Sequence, residues 1–139
     1  MTFSLSSNDV SVLAGATEVS RSPRVPYDDA ALALLAEISA ALRAAPEAKA
    51  HADLATFAFW CRKANLTRLK KQFEDGHQRL GRGRVFHIAP SNVAINFAFS
   101  WAFGLLAGNA NVVRVPSNPF GQVDVFCAAF DDLIKSAAH

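Results

Sequence analysis

The sequence predicts an α/β fold in which N-terminal helices precede a strand–helix–strand unit. Apolar residues recur at three- and four-residue spacings through residues 28–73, as they do along one face of a helix. Two short apolar runs, residues 85–89 and 111–115, are each closed by a proline and suit strands. The segment from the first strand to the second is about thirty residues long, which is the length of a βαβ crossover. The two strands should therefore be parallel.

The composition favours a packed domain. Of the 139 residues, 51% are hydrophobic and 19% are charged, which excludes a disordered chain. The net charge of +2 excludes a molecule that is basic as a whole. Cys61 and Cys127 lie far apart without a CxxC spacing, so neither a disulfide framework nor a zinc site is expected. Residues 1–20 lack the pattern of a secretory signal, and a cytoplasmic location is expected.

Positive charge is concentrated in residues 62–84. This stretch carries eight Lys and Arg residues against two acidic residues, Glu74 and Asp75. The solvated face of a helix is the simpler interpretation. The alternative is a phosphate-binding patch for nucleic acid or for the acidic CoA moiety, but no aromatic residue is expected at an exposed position among these charges.

One apolar segment has the length of a membrane span. Residues 85–107 contain no acidic or basic side chain. The segment is interrupted by Pro90, Ser91, Asn92 and Asn96. These interruptions favour a short strand followed by a helix over a membrane span.

The N-terminal half of the chain is predicted to form successive helices. Asp28 or Asp29 can cap a helix that runs to about residue 44, and Pro46 suits the first turn of the next. That helix, or one after a short break, is expected to continue through residues 54–73. Its apolar face comprises Phe59, Leu66, Leu69 and Phe73.

The strand–helix–strand unit is expected to be buried. Residues 85–89 suit a buried parallel strand, and residues 93–107 suit a helix that is apolar almost all round. Gly108 is expected to cap that helix in the left-handed conformation. Ser117 or Asn118 can cap a last helix.

Two loops are expected to converge at one edge of the sheet. The carboxyl ends of parallel strands are where α/β sheets bind ligands. The turn Ala89–Asn92 follows the first strand, and Arg114–Ser117 ends the second strand at the same edge. The carboxamide of Asn92 and the guanidinium of Arg114 suit a cofactor that carries phosphates and ribose hydroxyls. The structural alternatives are a helix N-cap for Asn92 and a surface charge for Arg114.

Longer stretches of sequence around these loops resemble a known protein family. They are Val85–Asn92 (VFHIAPSN) and Gly104–Ser117 (GLLAGNANVVRVPS), with Phe59–Leu66 (FWCRKANL) upstream. Over roughly residues 55–130 the chain resembles the acyl-CoA reductase family, a branch of the aldehyde dehydrogenase superfamily. Its best-known members are the fatty-acid reductases of bacterial bioluminescence.

The resemblance implies a domain organisation. Residues 1–80 would form an N-terminal arm and helices, and residues 81–139 the start of an NAD(P)-binding βαβ domain. This would be the first βαβ unit of a Rossmann-like aldehyde-dehydrogenase cofactor domain, incomplete in this sequence. Residues 1–27, rich in Ser, Val and Pro, suit a weak strand or arm.

The resemblance also implies roles for site residues. Asn92 matches the superfamily amide that helps to form an oxyanion hole. Arg114 matches a basic residue that meets the adenosine ribose, and Ser117 stands where many relatives carry an acid, which favours NADP over NAD. The other implied cofactor-lining residues are Ile88, Ala89, Pro90, Ser91 and Pro116. No metal is implied, and His87 is expected to be a hydrogen-bonded core residue.

The activity that the resemblance implies is the NADPH-dependent reduction of a fatty acyl thioester to an aldehyde through a cysteine acyl-enzyme. Acyl-CoA or an acyl-protein thioester would be the substrate, with no nucleic acid and no membrane span involved. Neither Cys61 nor Cys127 matches the nucleophile of the family, and both are expected to be small buried apolar residues. The chain is therefore expected to be an N-terminal part that is inactive alone. The alternative is a truncated, non-catalytic module for subunit association, and a homo-oligomer is compatible with either.

Overall fold

The structure, a computed structural model, describes residues 3–4 and 10–138. Helices and a parallel pair of strands are mixed in it, in agreement with the predicted α/β class. The elements are β1 (Phe3–Ser4), β2 (Glu18–Val19), α1 (Asp29–Ala44), a 3₁₀ helix (Pro46–Ala50), α2 (Ala52–Trp60), α3 (Lys63–Phe73), β3 (Arg84–Ile88), α4 (Asn96–Leu106), β4 (Ala110–Arg114) and α5 (Gly121–Ala137).

The N-terminal arm is fastened to the βαβ unit by backbone hydrogen bonds. β1 and β2 form an antiparallel pair, in agreement with the weak strand predicted for this arm. Residues 1–2 and 5–9 of the predicted arm lie outside the described residues. Farther along, the backbone N–H of Arg24 donates to the carbonyl of Gly108 at 2.9 Å, and the Arg24 carbonyl accepts from Gly81 at 2.9 Å. A Cβ on Gly108 would collide with the Arg24 carbonyl, so this close approach requires glycine.

Helix α1 forms as the sequence predicts. Asp28 is its N-cap, and the Asp28 carboxylate accepts a hydrogen bond from the backbone N–H of Ala31 at 2.8 Å. One face of α1 buries Leu35, Ile38 and Leu42.

The helix predicted over residues 54–73 is wrong in one respect, because it is broken after Trp60. Arg62 has an extended backbone (φ −62°, ψ 143°), which ends α2 before α3 begins. The side-chain amide of Asn65 donates to the Trp60 carbonyl at 2.7 Å and satisfies an acceptor that the break exposes. The break also moves Phe59 off the predicted apolar face, so that Phe59 is exposed while Leu66 is buried.

One apolar core contains residues from both predicted segments. The ring of Phe126 in α5 lies within contact distance of Phe57 in α2 (5.9 Å between centroids), Phe97 (5.2 Å) and Trp101 (5.6 Å) in α4. These edge-to-face pairs fix α5 against the helices that precede it. The division into two domains at residue 80 stays a prediction.

The βαβ unit is parallel, as predicted, but among residues 3–4 and 10–138 its strand β3 is covered mainly on one face. β3 pairs with β4 in a register that places His87 opposite Val113 and Ile88 opposite Arg114. Phe86 and Ile88, which alternate onto the same face, are 61% and 66% exposed. The prediction of a buried strand is therefore wrong, because α4 packs on the His87 face and the opposite face of β3 has no comparable cover from the described residues.

Two helix starts fall later than predicted. Helix α4 begins at Asn96 and not at residue 93, and Phe103 on it is exposed although the helix was expected to be buried. Helix α5 begins at Gly121, with Phe120 at the N-cap position and no side-chain cap from Ser117 or Asn118. Gly108 follows α4 with φ 86°, which confirms the predicted left-handed cap.

The apolar segment 85–107 is divided between β3, a turn and α4. Within residues 3–4 and 10–138, each helix is too short or too polar to cross a bilayer.

Candidate functional site

The two loops at the carboxyl ends of β3 and β4 meet, as the sequence predicts. The side-chain amide of Asn118 donates a hydrogen bond to the Ser91 carbonyl oxygen at 2.7 Å, across a separation of 27 residues. The backbone N–H of Ala89 donates to the Arg114 carbonyl at 3.1 Å and continues the strand pairing into the loops. The geometry of one loop is therefore coupled to that of the other.

Asn92 stands in an exposed turn at this edge. Pro90 disfavours helix for the residue before it and ends the strand, and Ser91 and Asn92 form the turn that follows. Because α4 has its N-cap position at Ile95, the alternative reading of Asn92 as a helix N-cap is wrong. Within the described residues, the Asn92 side chain makes no hydrogen bond, so its amide donors remain open to a ligand.

Arg114 and Ser117 are the polar groups of the second loop. Both are exposed, and neither side chain has a hydrogen bond or ion pair within the part of the chain that the structure describes. The register places Arg114 beside Ile88, so a guanidinium and an exposed aliphatic side chain share one face of the sheet. This pair suits a ligand with an anionic group attached to an apolar ring.

The other predicted lining residues divide by burial. Pro90 and Ser91 are exposed with Asn92 on the turn. Ala89 is 8% exposed and Pro116 is also buried, so these two residues support the loops from below. Their assignment to the cofactor groove stays a prediction, as does that of the exposed residues.

Behind the edge, a polar contact joins the two strands on the face that α4 covers. His87 Nε2 lies 2.9 Å from the Asn111 side-chain oxygen, and the Asn111 amide donates to the Asn109 carbonyl at 2.8 Å. The prediction of His87 as a hydrogen-bonded residue is confirmed. Gly104 makes room for this pair, because a Cβ there would collide with the Asn111 side chain and lie 2.8 Å from His87 Nε2. No sequence pattern indicated Asn111, which stands within an apolar strand.

Neither cysteine is placed for nucleophilic attack at the loop edge. Cys61 is fully buried, and burial raises the pKa of its thiol to about 12. Cys127 is half-buried on α5, and burial, followed by the charges of Asp131 and Asp124, raises its pKa to about 11. Both thiols are free and largely protonated near neutral pH, as expected of packing residues.

No group of His, Cys, Asp and Glu among the described residues could hold a metal ion.

The basic run 62–84 is partly paired, since Lys70 Nζ lies 3.5 Å from Asp29 and Arg79 forms two 2.6 Å hydrogen bonds with Asp75. The hydrogen bonds from Arg79 hold the pKa of Asp75 well below its usual range. The expectation that no exposed aromatic residue stands in this region was wrong, because Phe73 is 37% exposed and Phe59 is more so.

A cleft of about 630 Å³ lies away from the loop edge, between the start of α1 and the end of α3. Its wall includes the rings of Tyr27 and Phe73, whose centroids are 4.9 Å apart and whose planes are tilted by 38°. Tyr27 has a positive φ of 56°, which no sequence signal indicated.

The fold and the loop edge define the class of protein: an α/β protein whose two parallel strands end in contacting loops, at the edge where sheets of this class bind ligands. The sequence model of the family described as acyl-CoA reductase (LuxC) matches residues 27–137. The chain therefore belongs to the acyl-CoA reductase (LuxC) family, which confirms the resemblance, and with it to a family of oxidoreductases. No curated protein and no solved structure matches the chain.

Proposed function

We propose that this chain forms the N-terminal part of an acyl-CoA reductase, which reduces a fatty acyl thioester to an aldehyde with NADPH. The family match supports the reaction class and an acyl thioester as the substrate. The observation that carries the assignment of the site is the hydrogen bond from Asn118 to Ser91, because it holds Asn92 and Arg114 at one edge of the sheet.

The residues at this edge fit a dinucleotide by their chemistry. Arg114 offers a permanently charged fork of N–H donors for a phosphate, and Ser117 adds a neutral hydroxyl where an acid would repel one. Ile88 offers an exposed apolar surface next to Arg114. In this proposal Ala89, Pro90, Ser91 and Pro116 shape the rest of the groove, and the bound NADPH supplies the hydride.

Asn92 acts on the substrate carbonyl. When a cysteine thiolate attacks the thioester carbon, negative charge develops on the carbonyl oxygen, and the Asn92 amide donates a hydrogen bond to it. An amide that is exposed in a turn and free of other partners is ready for this role. Collapse of the tetrahedral adduct would expel the CoA thiolate and leave an acyl-enzyme, whose acyl carbon would accept the hydride that NADPH supplies when bound, so that the aldehyde leaves and the thiolate is regenerated.

The attacking cysteine is proposed to be neither Cys61 nor Cys127. A nucleophilic thiol needs a lowered pKa and access to the substrate. The pKa of Cys61 is raised to about 12 and that of Cys127 to about 11, and Cys61 is fully buried. In this proposal the nucleophile therefore belongs to a part of the enzyme outside these 139 residues.

The test compares the isolated 139-residue chain with the native protein, whose intact mass is measured first. We expect the native protein to oxidise NADPH in the presence of a fatty acyl-CoA with equimolar aldehyde formation. The isolated chain should bind NADPH without turnover. Aldehyde formation by the isolated chain would refute the exclusion of both cysteines, and a native protein that binds neither NADPH nor acyl-CoA would refute the whole proposal.

A second candidate function is a non-catalytic module for subunit association. It is favoured by the uncovered side of β3, on which Phe86 and Ile88 are mostly exposed. Sedimentation equilibrium of the wild type and of Phe86→Ser and Ile88→Ser variants separates the candidates. Association that the two substitutions abolish, in a native protein without reductase activity, would favour the module over the enzyme.

A further inference from the structure

Helix α3 carries positive charge that the proposed reaction does not use. Its sequence, KANLTRLKKQF, contains four basic residues and no acidic residue. Lys70 lies near Asp29, but Lys63, Arg68 and Lys71 are exposed and have no ion pair within the described ranges. Arg68 bonds to the side-chain oxygens of Asn65 and Gln72, which are neutral, so its charge stays uncompensated.

The three uncompensated cations share one side of the helix. Arg68 and Lys71, three positions apart, are neighbours on the helical surface, and Lys63, eight positions before Lys71, lies only about 80° away from it around the helix axis. Leu66, on the other side, is fully buried. Helix α3 therefore lies on the surface of the protein with its basic side turned to solvent.

An exposed aromatic residue adjoins the beginning of this basic side. The ring of Phe59 is 58% exposed, and the guanidinium of Arg62, directly before α3, lies 3.4 Å from the ring centroid. Trp60 next to it is half-buried and packs against the exposed ring of Phe103, with 5.2 Å between centroids. Positive charge and aromatic surface thus occur side by side.

We propose that the basic–aromatic surface formed by Phe59, Arg62, Lys63, Arg68 and Lys71 binds the anionic face of a phospholipid bilayer. Cations next to a negatively charged leaflet gain binding energy without precise partners, and a neighbouring apolar ring enters the headgroup layer. A nucleic acid would attract the same cations but also needs an open ring for base stacking. Arg62 covers one side of the Phe59 ring, which disfavours that use. This inference concerns binding alone and stands apart from the proposed reductase activity.

The test is flotation of the protein with phosphatidylcholine vesicles, with and without about one third phosphatidylglycerol. We expect binding to the anionic vesicles only, weakening as NaCl rises from about 0.05 to 0.5 M. Each cation near such a surface strengthens binding about fivefold, so K63E/R68E/K71E should weaken it at least about a hundredfold. The matched control reverses three exposed cations outside α3, K49E/R82E/K135E, and should retain most of the binding.

The aromatic part is tested separately by Phe59→Ser against Leu80→Ser, since Leu80 is 63% exposed and lies outside the surface. The first substitution should weaken binding severalfold and the second should not. Circular dichroism checks that each variant is folded. Equal binding to neutral and anionic vesicles, equal loss in the two triple variants, or binding to single-stranded RNA without binding to vesicles would each overturn the proposal.

Discussion

The side-chain amide of Asn118 donates a 2.7 Å hydrogen bond to the backbone carbonyl of Ser91, which joins the loops that follow β3 and β4. Ser117 or Asn118 was expected to cap the last helix, yet α5 begins at Gly121 and the Asn118 side chain bonds to the other loop instead. Because Asn92 follows Ser91, this hydrogen bond and the strand pairing at Arg114 together hold the loops that carry the two principal site residues.

Replacing Asn118 tests this coupling. Asn118→Ala should lower the free energy of unfolding by only about 1 kcal/mol, since an exposed hydrogen bond is lost. It should weaken NADPH binding severalfold, because the two loops are no longer held together. Gln72→Ala, another exposed amide with a hydrogen bond, is the control and should leave NADPH binding unchanged. Unchanged binding in Asn118→Ala, measured by titration calorimetry, would show that the two loops are positioned independently.

Arg114 should decide between the two nicotinamide cofactors. If its guanidinium binds the 2′-phosphate, Arg114→Ala should raise the dissociation constant for NADPH by about tenfold or more and leave that for NADH nearly unchanged. Arg82→Ala, an exposed arginine at the opposite end of the sheet, is the matched control. Tighter binding of NADH than of NADPH by the wild type would contradict the preference.

Gly104 should be irreplaceable for stability. A Cβ at this position would displace the Asn111 side chain from His87, so Gly104→Ala should lower the free energy of unfolding by about 3 kcal/mol or more. Gly76→Ala provides a comparison, because a Cβ at Gly76 meets no atom and the cost of its positive φ is only about 1–2 kcal/mol. Chemical denaturation measures both. Equal losses would mean that α4 can move away from the sheet without cost.

The two cysteines should make the protein less stable at high pH. A thiol whose pKa is raised in the folded state stabilises the fold fully below its unfolded pKa, near 9. That contribution is lost as the pH rises through about 11 for Cys127 and about 12 for Cys61. Between about pH 8 and pH 10 the unfolding free energy of the wild type should therefore fall more steeply than that of a Cys61→Ala/Cys127→Ala variant. Parallel curves would show that neither thiol titrates at a raised pKa.

Secondary-structure elements that depend on nearby residues were predicted from local sequence patterns. The spacing of Leu35, Ile38 and Leu42 and the carboxylate of Asp28 placed α1 correctly. The length between the two apolar runs was enough to predict parallel strands and the meeting of their loops.

Features that depend on tertiary contacts were missed. The break after Trp60 is sustained by the Asn65 side chain, and the apolar spacing runs through it without interruption. The exposure of Phe86 and Ile88 reflects which face α4 covers, and both faces of β3 look equally apolar in sequence. His87 lies on β3, Asn111 on β4 and Gly104 on α4. Because their contact joins three elements, no pattern along the sequence could indicate it.

The central claim is that Asn92 stabilises the charge that develops on the substrate carbonyl. The most direct measurement is the kcat for reduction of a fatty acyl-CoA by the native protein and by its Asn92→Ala variant, with Asn96→Ala, an exposed amide at the start of α4, as the control. Asn92→Ala should lower kcat by about 10²–10³-fold with an unchanged free energy of unfolding, while Asn96→Ala should retain most of the activity. An Asn92→Ala variant with the kcat of the wild type would contradict it.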